Sequence, residues 1–355
     1  SDLPSLENIF FHPVFFFYPN ARTSFSVGLN NTYEQRKGGD MQVLRDRLSP
    51  LHQFSIQNQS LRNTLDIVAD HKLTLQDKLS LKLRLSNFKR DISSNVFGMK
   101  AKQLSLFSEI SYLKKLPKHN LVAGINLNGD RFSKRAPDSA AIPAYRYFTV
   151  GAFIQDDWTI QPKLVAETGM RLDYHTTYGA FALPRISLLY KFSSQFSFRA
   201  GAGMGYRVPT VFNGDVDERD YRIVQLDSAA VAEKSWGVNT DFNLHTRIGE
   251  VKLQLNQSLF LTRINRPLVP FAPPGVLHYY SASKPIITRG FETWVQLDWN
   301  KLEAYLGYTF TDAQRKYDTV QSRVVLTARD KFATVIGYEI TDNFRAIAEA
   351  SWTGQ

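Results

Sequence analysis

Apolar and polar residues alternate one by one through segment after segment of this chain. From Thr23 one row reads Thr23, Phe25, Val27, Leu29, Asn31, Tyr33, and the interleaved row reads Ser24, Ser26, Gly28, Asn30, Thr32. Strand side chains point to opposite faces with period two, so each such segment offers one face to an oily phase and the other to a wet one. Leu79, Leu81, Leu83 and Leu85 oppose Ser80, Lys82, Arg84 and Ser86. Val251, Leu253, Leu255, Leu259 and Leu261 oppose Lys252, Gln254, Asn256, Ser258 and Thr262. Leu302, Ala304, Leu306, Tyr308 and Phe310 oppose Lys301, Glu303, Tyr305, Gly307 and Thr309. The pattern predicts an all-β chain, the wall of an antiparallel transmembrane β-barrel, with Leu79, Leu81, Leu83, Leu85, Leu253, Leu255, Leu302 and Leu306 facing lipid and Lys82, Arg84, Lys252 and Glu303 facing the lumen.

Turn signals divide the chain into about sixteen strands. Tight links fall at 20–22, 74–77, 116–120, 161–163, 193–195, 247–250, 300–301 and 341–343, and wider loops at 37–50, 93–97, 133–145, 176–179, 208–230, 265–284 and 312–323. Outer-membrane barrels keep short turns on the periplasmic side and long loops outside, so the two sets assign the two rims. Phe17, Tyr18, Tyr112, Trp158, Tyr190, Trp299 and Tyr338 recur just before the short turns and predict one interfacial aromatic girdle. The first segment, 12–18, runs into a short turn and the last, 343–355, runs out of one. Both ends therefore fall on the outer side, whereas an even-stranded bacterial barrel keeps them in the periplasm. The expectation is a partial wall with unpaired edges at 12–18 and 343–352.

Composition narrows the class. Hydrophobic residues make up 43% of the chain, yet mean hydropathy is −0.28 and no apolar run approaches the ~18 residues of a spanning helix. Each backbone polar group inside lipid needs a partner, which leaves tilted strands. The net charge of +10 is spread over strand positions and loop ends, not gathered in one block, which argues against nucleic acid and suits an anionic outer surface and anionic solutes. There is no cysteine, and His12, His52, His71, His119, His175, His245 and His278 lack ligand spacing, so no metal and no cofactor are predicted.

Asp156 and Asp157 are adjacent, hence on opposite faces, and cannot converge as a general acid and base. The acidic run Asp215, Asp217, Glu218, Asp220 lacks the glycine of an EF-hand loop and reads as a solvated loop. With no nucleophile and base pair in view, the chain is read as not an enzyme. Gly205 and Pro209 end a strand beside Tyr206 and Arg207, the arginine either pairing a wall carboxylate or meeting a ligand. His278, Tyr279 and Tyr280 sit in a loop with Pro270, Pro273, Pro274 and Gly275, where they either stack on a flat ligand or pack the loop.

Several strings resemble those of TonB-dependent outer-membrane receptors, particularly of the Bacteroidota sort. Arg36-Lys37-Gly38-Gly39-Asp40-Met41 resembles a loop start, and Gln155-Asp156-Asp157-Trp158 resembles the QDxW strand end. Gly205-Tyr206-Arg207-Val208-Pro209-Thr210 is similar to a GYRxPT strand exit, and Glu233-Lys234-Ser235 to the PEKS strand start, with Ala232 where proline is usual. The resemblance covers nearly the whole chain. It implies that residues 1–355 are a fragment, roughly the fourth to nineteenth strands, of a barrel of about 22 strands whose plug domain and terminal strands are not included. It also implies a location in the Gram-negative outer membrane, surrounded by membrane lipid and lipopolysaccharide. The partner would be the TonB complex, acting through the N-terminal region. The family's solutes are iron-siderophores, haem, cobalamin and some glycans.

A passive porin is the first alternative, and a soluble all-β binding protein such as a propeller the second, although no blade repeat of about 40 residues is visible. Specificity would lie in the loops. Tyr206, Arg207, Arg219, His278, Tyr279 and Tyr280 are the candidate ligand-binding residues at the outer vestibule, suited by ring stacking and charge-assisted bonds to an anionic, partly planar chelate.

Overall fold

The structure is a computed structural model and describes residues 5–44, 50, 53–95, 97–135, 140–212, 218–325 and 327–354, with only the backbone at 43, 44, 218 and 219. Its strands are β1 (Ser5–Phe11), β2 (Val14–Asn20), β3 (Thr23–Gly39), β4 (Ser55–Lys72), β5 (Asp77–Ser94), β6 (Gly98–Lys115), β7 (His119–Arg135), β8 (Tyr145–Gln161), β9 (Leu164–His175), β10 (Gly179–Lys191), β11 (Phe196–Arg207), β12 (Val224–Leu226), β13 (Glu233–Ile248), β14 (Val251–Asn265), β15 (Leu268–Phe271), β16 (Leu277–Ser281), β17 (Ile286–Trp299), β18 (Leu302–Arg315), β19 (Asp330–Thr341) and β20 (Phe344–Gly354). One helical turn, Met41–Leu44, follows β3, and a short 3-10 helix, Glu218–Arg222, lies between β11 and β12.

Seventeen of the strands form one antiparallel meander in which each pairs with the next along the chain, from β3 to β11 and then through β13, β14, β17, β18, β19 and β20. β1 and β2 lie end to end on the far edge of β3, and Leu29 N–H bonds Pro13 O across the break between them. Counted as one, they give the sixteen staves that the turn pattern predicts. The first stave starts at Ser5, earlier than the expected 12–18. Its Phe10-Phe11 and Phe15-Phe16-Phe17 are apolar on both faces, so alternation does not reveal it. Among the described residues the outer edges of β1–β2 and of β20 have no strand partner in the registers.

The three remaining strands form a separate small sheet. β16 pairs parallel with β12 and antiparallel with β15, joining the loop after β11 to the loop after β14. Both were expected as plain loops. Strands of three to five residues carry too few positions for a period to show.

The loop after β11 identifies the interior of the wall. Tyr221 in this loop lies against Arg90 of β5, six staves from where the loop begins, with the guanidinium carbon 5.9 Å from the ring centroid. Val211, Tyr221 and Val224 pack with Ile92, Met99 and Phe132 in a buried cluster. Only the concave side of a curved wall brings such distant staves together. On that side β5 shows Ser80, Lys82, Arg84, Ser86, Phe88 and Arg90. The leucines Leu79, Leu81, Leu83 and Leu85 take the outer side, and Leu79, Leu81 and Leu85 are exposed.

The same parity carried through the registers places Leu253, Leu255, Leu302 and Leu306 outward and Lys252 and Glu303 inward. Lumenal charges find partners on neighbouring or next-but-one staves. Lys82 Nζ is 3.0 Å from Glu109 Oε1, Arg84 Nε 2.5 Å from Asp66 Oδ1, and Arg345 bonds Glu303. Tyr112, Trp158, Tyr190, Trp299 and Tyr338 are all exposed on the outer face beside the short turns, where the girdle was expected.

Candidate functional site: a chamber under the inward loop

Near the long-loop rim the interior narrows to a chamber walled by β5 to β9 and roofed by the loop after β11. Two adjoining cavities, of about 520 and 460 Å³, share Asp130, Tyr147 and Val208 as lining. The walls are aromatic and amide-rich. Tyr145 stacks on Phe132 at 5.6 Å and on Tyr147 at 4.7 Å, and its hydroxyl donates to Asp130 Oδ2 at 3.1 Å. Gln103 Nε2 donates to the same carboxylate. Phe212 of the loop meets Phe132 edge-on at 5.0 Å and so closes the roof on the wall.

Alongside lies a carboxylate held from two staves, β9 and β11. Asp173 is buried, accepting from Arg171 Nε at 2.8 Å and from the Tyr206 hydroxyl at 3.0 Å. Arg171 Nη2 reaches on to Asn126 Oδ1 at 3.1 Å. A Cβ on Gly151 would stand 2.3 Å from Asp173 Oδ1, so the absent side chain leaves room for this network. His175, also buried, accepts from Thr177 and Tyr178 N–H at its Nδ1, which leaves Nε2 as the ring's donor at the chamber wall. In the 176–179 link, burial and a hydrogen bond with Tyr147 raise the Tyr178 phenol above its ordinary pKa, which keeps the hydroxyl protonated.

The six sequence-chosen residues fall in different settings. Tyr206 lines the chamber. Strand alternation would turn it away from the interior, yet its ring stacks on inward-facing Phe181 at 3.8 Å. The β10–β11 register stops at Arg185↔Gly203, one residue before Pro184, which has no N–H to continue the ladder. Freed there, the end of β11 leans inward and lays its outer-parity side chain over β10. Arg207 pairs a wall carboxylate, its Nε 2.7 Å and Nη2 2.9 Å from the Glu233 oxygens. Glu233 also accepts Leu268 N–H at 2.6 Å, so one buried carboxylate ties β11, β13 and β15 together.

Arg219 lies in the short 3-10 helix, its side chain outside the described residues. His278 is in β16 opposite Phe271 and Gln225. Tyr279 is 1% exposed and forms the core of the small sheet. Tyr280, half-buried, faces a separate cavity of about 920 Å³ that is also lined by Arg207 and Glu233.

The residues that the sequence reading passed over are Arg90, Asp130, Tyr145, Tyr147, Arg171, Asp173, His175 and Tyr178. All but Tyr178 stand on the polar parity of their strands, which was read as generic lumen. Asp156 and Asp157 point apart as predicted. Asp156 bonds outward-facing His119 at 2.7 Å, and Asp157 bonds Gln155 within the lumen. Of the acidic run expected as a solvated loop, positions 215 and 217 lie outside the described residues, while Glu218 and Asp220 fall in the short 3-10 helix. Among the described residues no group of three or more His, Asp or Glu could hold a metal ion.

A family model described as "TonB dependent receptor-like, beta-barrel" matches residues 5–355. No curated protein matches the chain. Similar solved structures include a G324V mutant of the ferric enterobactin receptor PfeA from Pseudomonas aeruginosa, with TM-score 0.76, 13% identity, and coverage of 98% of this chain and 57% of that one. The siderophore receptor PirA from Pseudomonas aeruginosa gives 0.73, 11%, 98% and 62%. The ferric-catecholate import receptor Fiu from E. coli gives 0.72, 13%, 99% and 65%. The chain thus spans less than two thirds of each of these structures, and at such identities the likeness is one of fold.

Proposed function

Because the chain belongs to the TonB-dependent receptor-like β-barrel family, we propose that it forms most of the wall of a receptor that captures a ferric siderophore or a comparable chelate and admits it under energy coupling. The family is one of transporters, and its place is the Gram-negative outer membrane. The observation that carries the reading is the chamber: an aromatic and hydrogen-bonding recess at the long-loop mouth, closed by a loop that crosses the lumen. Stacked tyrosines, protonated phenols and guanidinium groups suit planar rings bearing anionic oxygens.

Tyr206, Arg207, Arg219, His278, Tyr279 and Tyr280 are proposed as the vestibule set. Tyr206 and Tyr280 would offer contact surface, while Arg207 and Tyr279 hold the loops in shape. Two further parts complete the proposal: a plug domain with the TonB-contacting segment, and additional strands that pair with the two open edges and bring the wall to about 22. The greater length of the similar structures and the unpaired edges support them.

Uptake assays on the full-length receptor, in a strain stripped of its own receptors, test the proposal. Radioiron-loaded catecholate and hydroxamate siderophores, haem and cobalamin are offered with and without a protonophore. At least one iron chelate should accumulate, and the protonophore should abolish it. Accumulation that ignores the protonophore would instead establish a passive pore.

A further inference from the structure

One buried donor in the chamber has nothing to bond. His175 is 3% exposed, and its Nδ1 accepts the N–H groups of Thr177 at 3.1 Å and Tyr178 at 3.3 Å. The proton of the neutral ring is thereby fixed on Nε2. That nitrogen is buried without a hydrogen-bond partner among the described residues, although His175 lines the cavity of about 520 Å³. Tyr147 and Tyr178 hold the ring from two sides, each with its centroid 5.1 Å away. Asn126, in the adjacent inward row of the registers, leaves a second buried donor, Nδ2, without a partner, since its Oδ1 is turned to Arg171 and Asn128.

What this wall lacks is an acceptor, and the charges around His175 decide its kind. Asp173 precedes it by one inward position on β9, and Asp130 of β7 stands one inward row above, opposite Tyr147. Arg171 is bonded to Asp173, and Arg84 to Asp66. Asp130, which lines the same cavity, accepts from Gln103, Ser105 and Tyr145, all uncharged, and no cation pairs with it among the described residues. An anionic oxygen brought to Nε2 would meet that carboxylate as a like charge, which is costly where water is excluded. A metal centre such as haem iron would need the Nε2 lone pair, and therefore a proton on Nδ1. There it would face the N–H groups of Thr177 and Tyr178.

We infer that His175 is a specificity-determining residue, donating from Nε2 to an uncharged carbonyl oxygen of the ligand, such as the amide carbonyl on an arm of an iron chelate. Resting on the reading of the chamber as the place of capture, this assignment also orients the ligand. Its carbonyl-bearing edge turns to β8 and β9, and its anionic oxygens turn to Arg90, which lines the adjoining cavity. Burial gives the preference its strength. A solvated donor would merely exchange ligand for water, whereas a chelate without the carbonyl leaves this one covered and unpaired. Coordination of haem through His175 is excluded by the same tautomer.

The test uses the proposed receptor in detergent and two ferric chelates of equal charge, the tris complexes of catechol and of the dimethylamide of dihydroxybenzoic acid, which differ in the amide group. By fluorescence quenching the wild type should bind the amide complex about tenfold more tightly. His175→Asn keeps a carbonyl oxygen near Nδ1 for the 176–179 link but removes the donor; it should melt like the wild type and bind both chelates alike. His175→Gln sets an amide N–H near Nε2 and should keep the preference, even where the link is loosened. Nitrogen NMR on labelled histidine should place the proton on Nε2 and shift that signal when the gallium form of the amide chelate is added. Equal binding of the two chelates by the wild type, a preference that survives in His175→Asn, or a loss in His175→Gln as complete as in His175→Asn would overturn the donor role and leave capture in the chamber standing. Binding of neither chelate by the wild type would overturn the chamber reading and the donor role with it. If His175→Asn does not fold, the wild-type preference and the shift of the Nε2 proton decide.

Discussion

Gly151 has no side chain because Asp173 and Asn126 occupy the space where one would go. Gly151→Ala should therefore displace Asp173 from Arg171 and Tyr206, at about 1–3 kcal/mol for the forced overpacking. Chemical denaturation in lipid vesicles would measure the cost. The corresponding change at Gly179, where nothing lies within 4 Å but φ is +79°, should act only through backbone strain. On the opposite face Leu83 sits between exposed Leu81 and Leu85 in the middle of the apolar row. Leu83→Arg should cost about 2–4 kcal/mol if it lies at mid-bilayer. Lys82→Gln, one residue away but lumenal, should cost far less, because its partner Glu109 stays within reach of lumenal water. Equal costs at the two positions, read from the same unfolding curves, would refute the assigned faces.

At the scale of elements, the loop after β11 is held by a few identifiable contacts. Its Tyr221 packs on Arg90 and in the cluster with Ile92 and Met99, its Phe212 meets Phe132, and its Val224 begins the small sheet. Tyr221→Ala should loosen the crossing without disturbing the staves. Hydrogen exchange should quicken across the loop and in β12 and stay slow in β5 to β8. The small sheet has a second anchor in Glu233, which serves both Arg207 and the Leu268 amide. Glu233→Leu would orphan that buried N–H and should free β15 at about 1–3 kcal/mol.

The sequence shows these elements unevenly, for physical reasons. Strands that cross the bilayer are bound to period two because lipid lies on one side and water on the other, so rows such as Leu79 to Leu85 declare themselves. β1 and β2 hide because Phe10, Phe11 and Phe15 to Phe17 are apolar on both faces. The chamber hides because its parts are parity-polar residues from five staves, whose meeting depends on curvature. Tyr206 turns inward only because Pro184 interrupts a ladder on the neighbouring stave, and no local pattern around Tyr206 records that.

For the whole molecule, the decisive property is that sixteen staves leave two edges whose backbone groups lack strand partners among the described residues. In lipid each unsatisfied group costs several kcal/mol, and in water an open edge recruits other chains. Residues 1–355 alone should therefore aggregate or require added strands, whereas a monodisperse closed barrel of sixteen staves in detergent would contradict the open-edge wall. Within the proposed receptor the loops are the separable part. The 208–230 and 265–284 segments carry the roof, the small sheet, Tyr206's continuation and Tyr280, while the staves beneath are held by their own ladders. Deleting either segment should thus weaken uptake of the true substrate and leave assembly intact, since loops tolerate removal better than the wall. Because β15 and β16 belong to one loop and β12 to the other, each deletion also strips the other loop of its sheet partner. The double deletion should then cost little more than the worse single one. Heat-modifiable migration on gels would report the barrel and radiolabelled uptake the function. Unchanged uptake after both deletions would place ligand capture elsewhere, and strictly additive losses would mean that the two loops act apart.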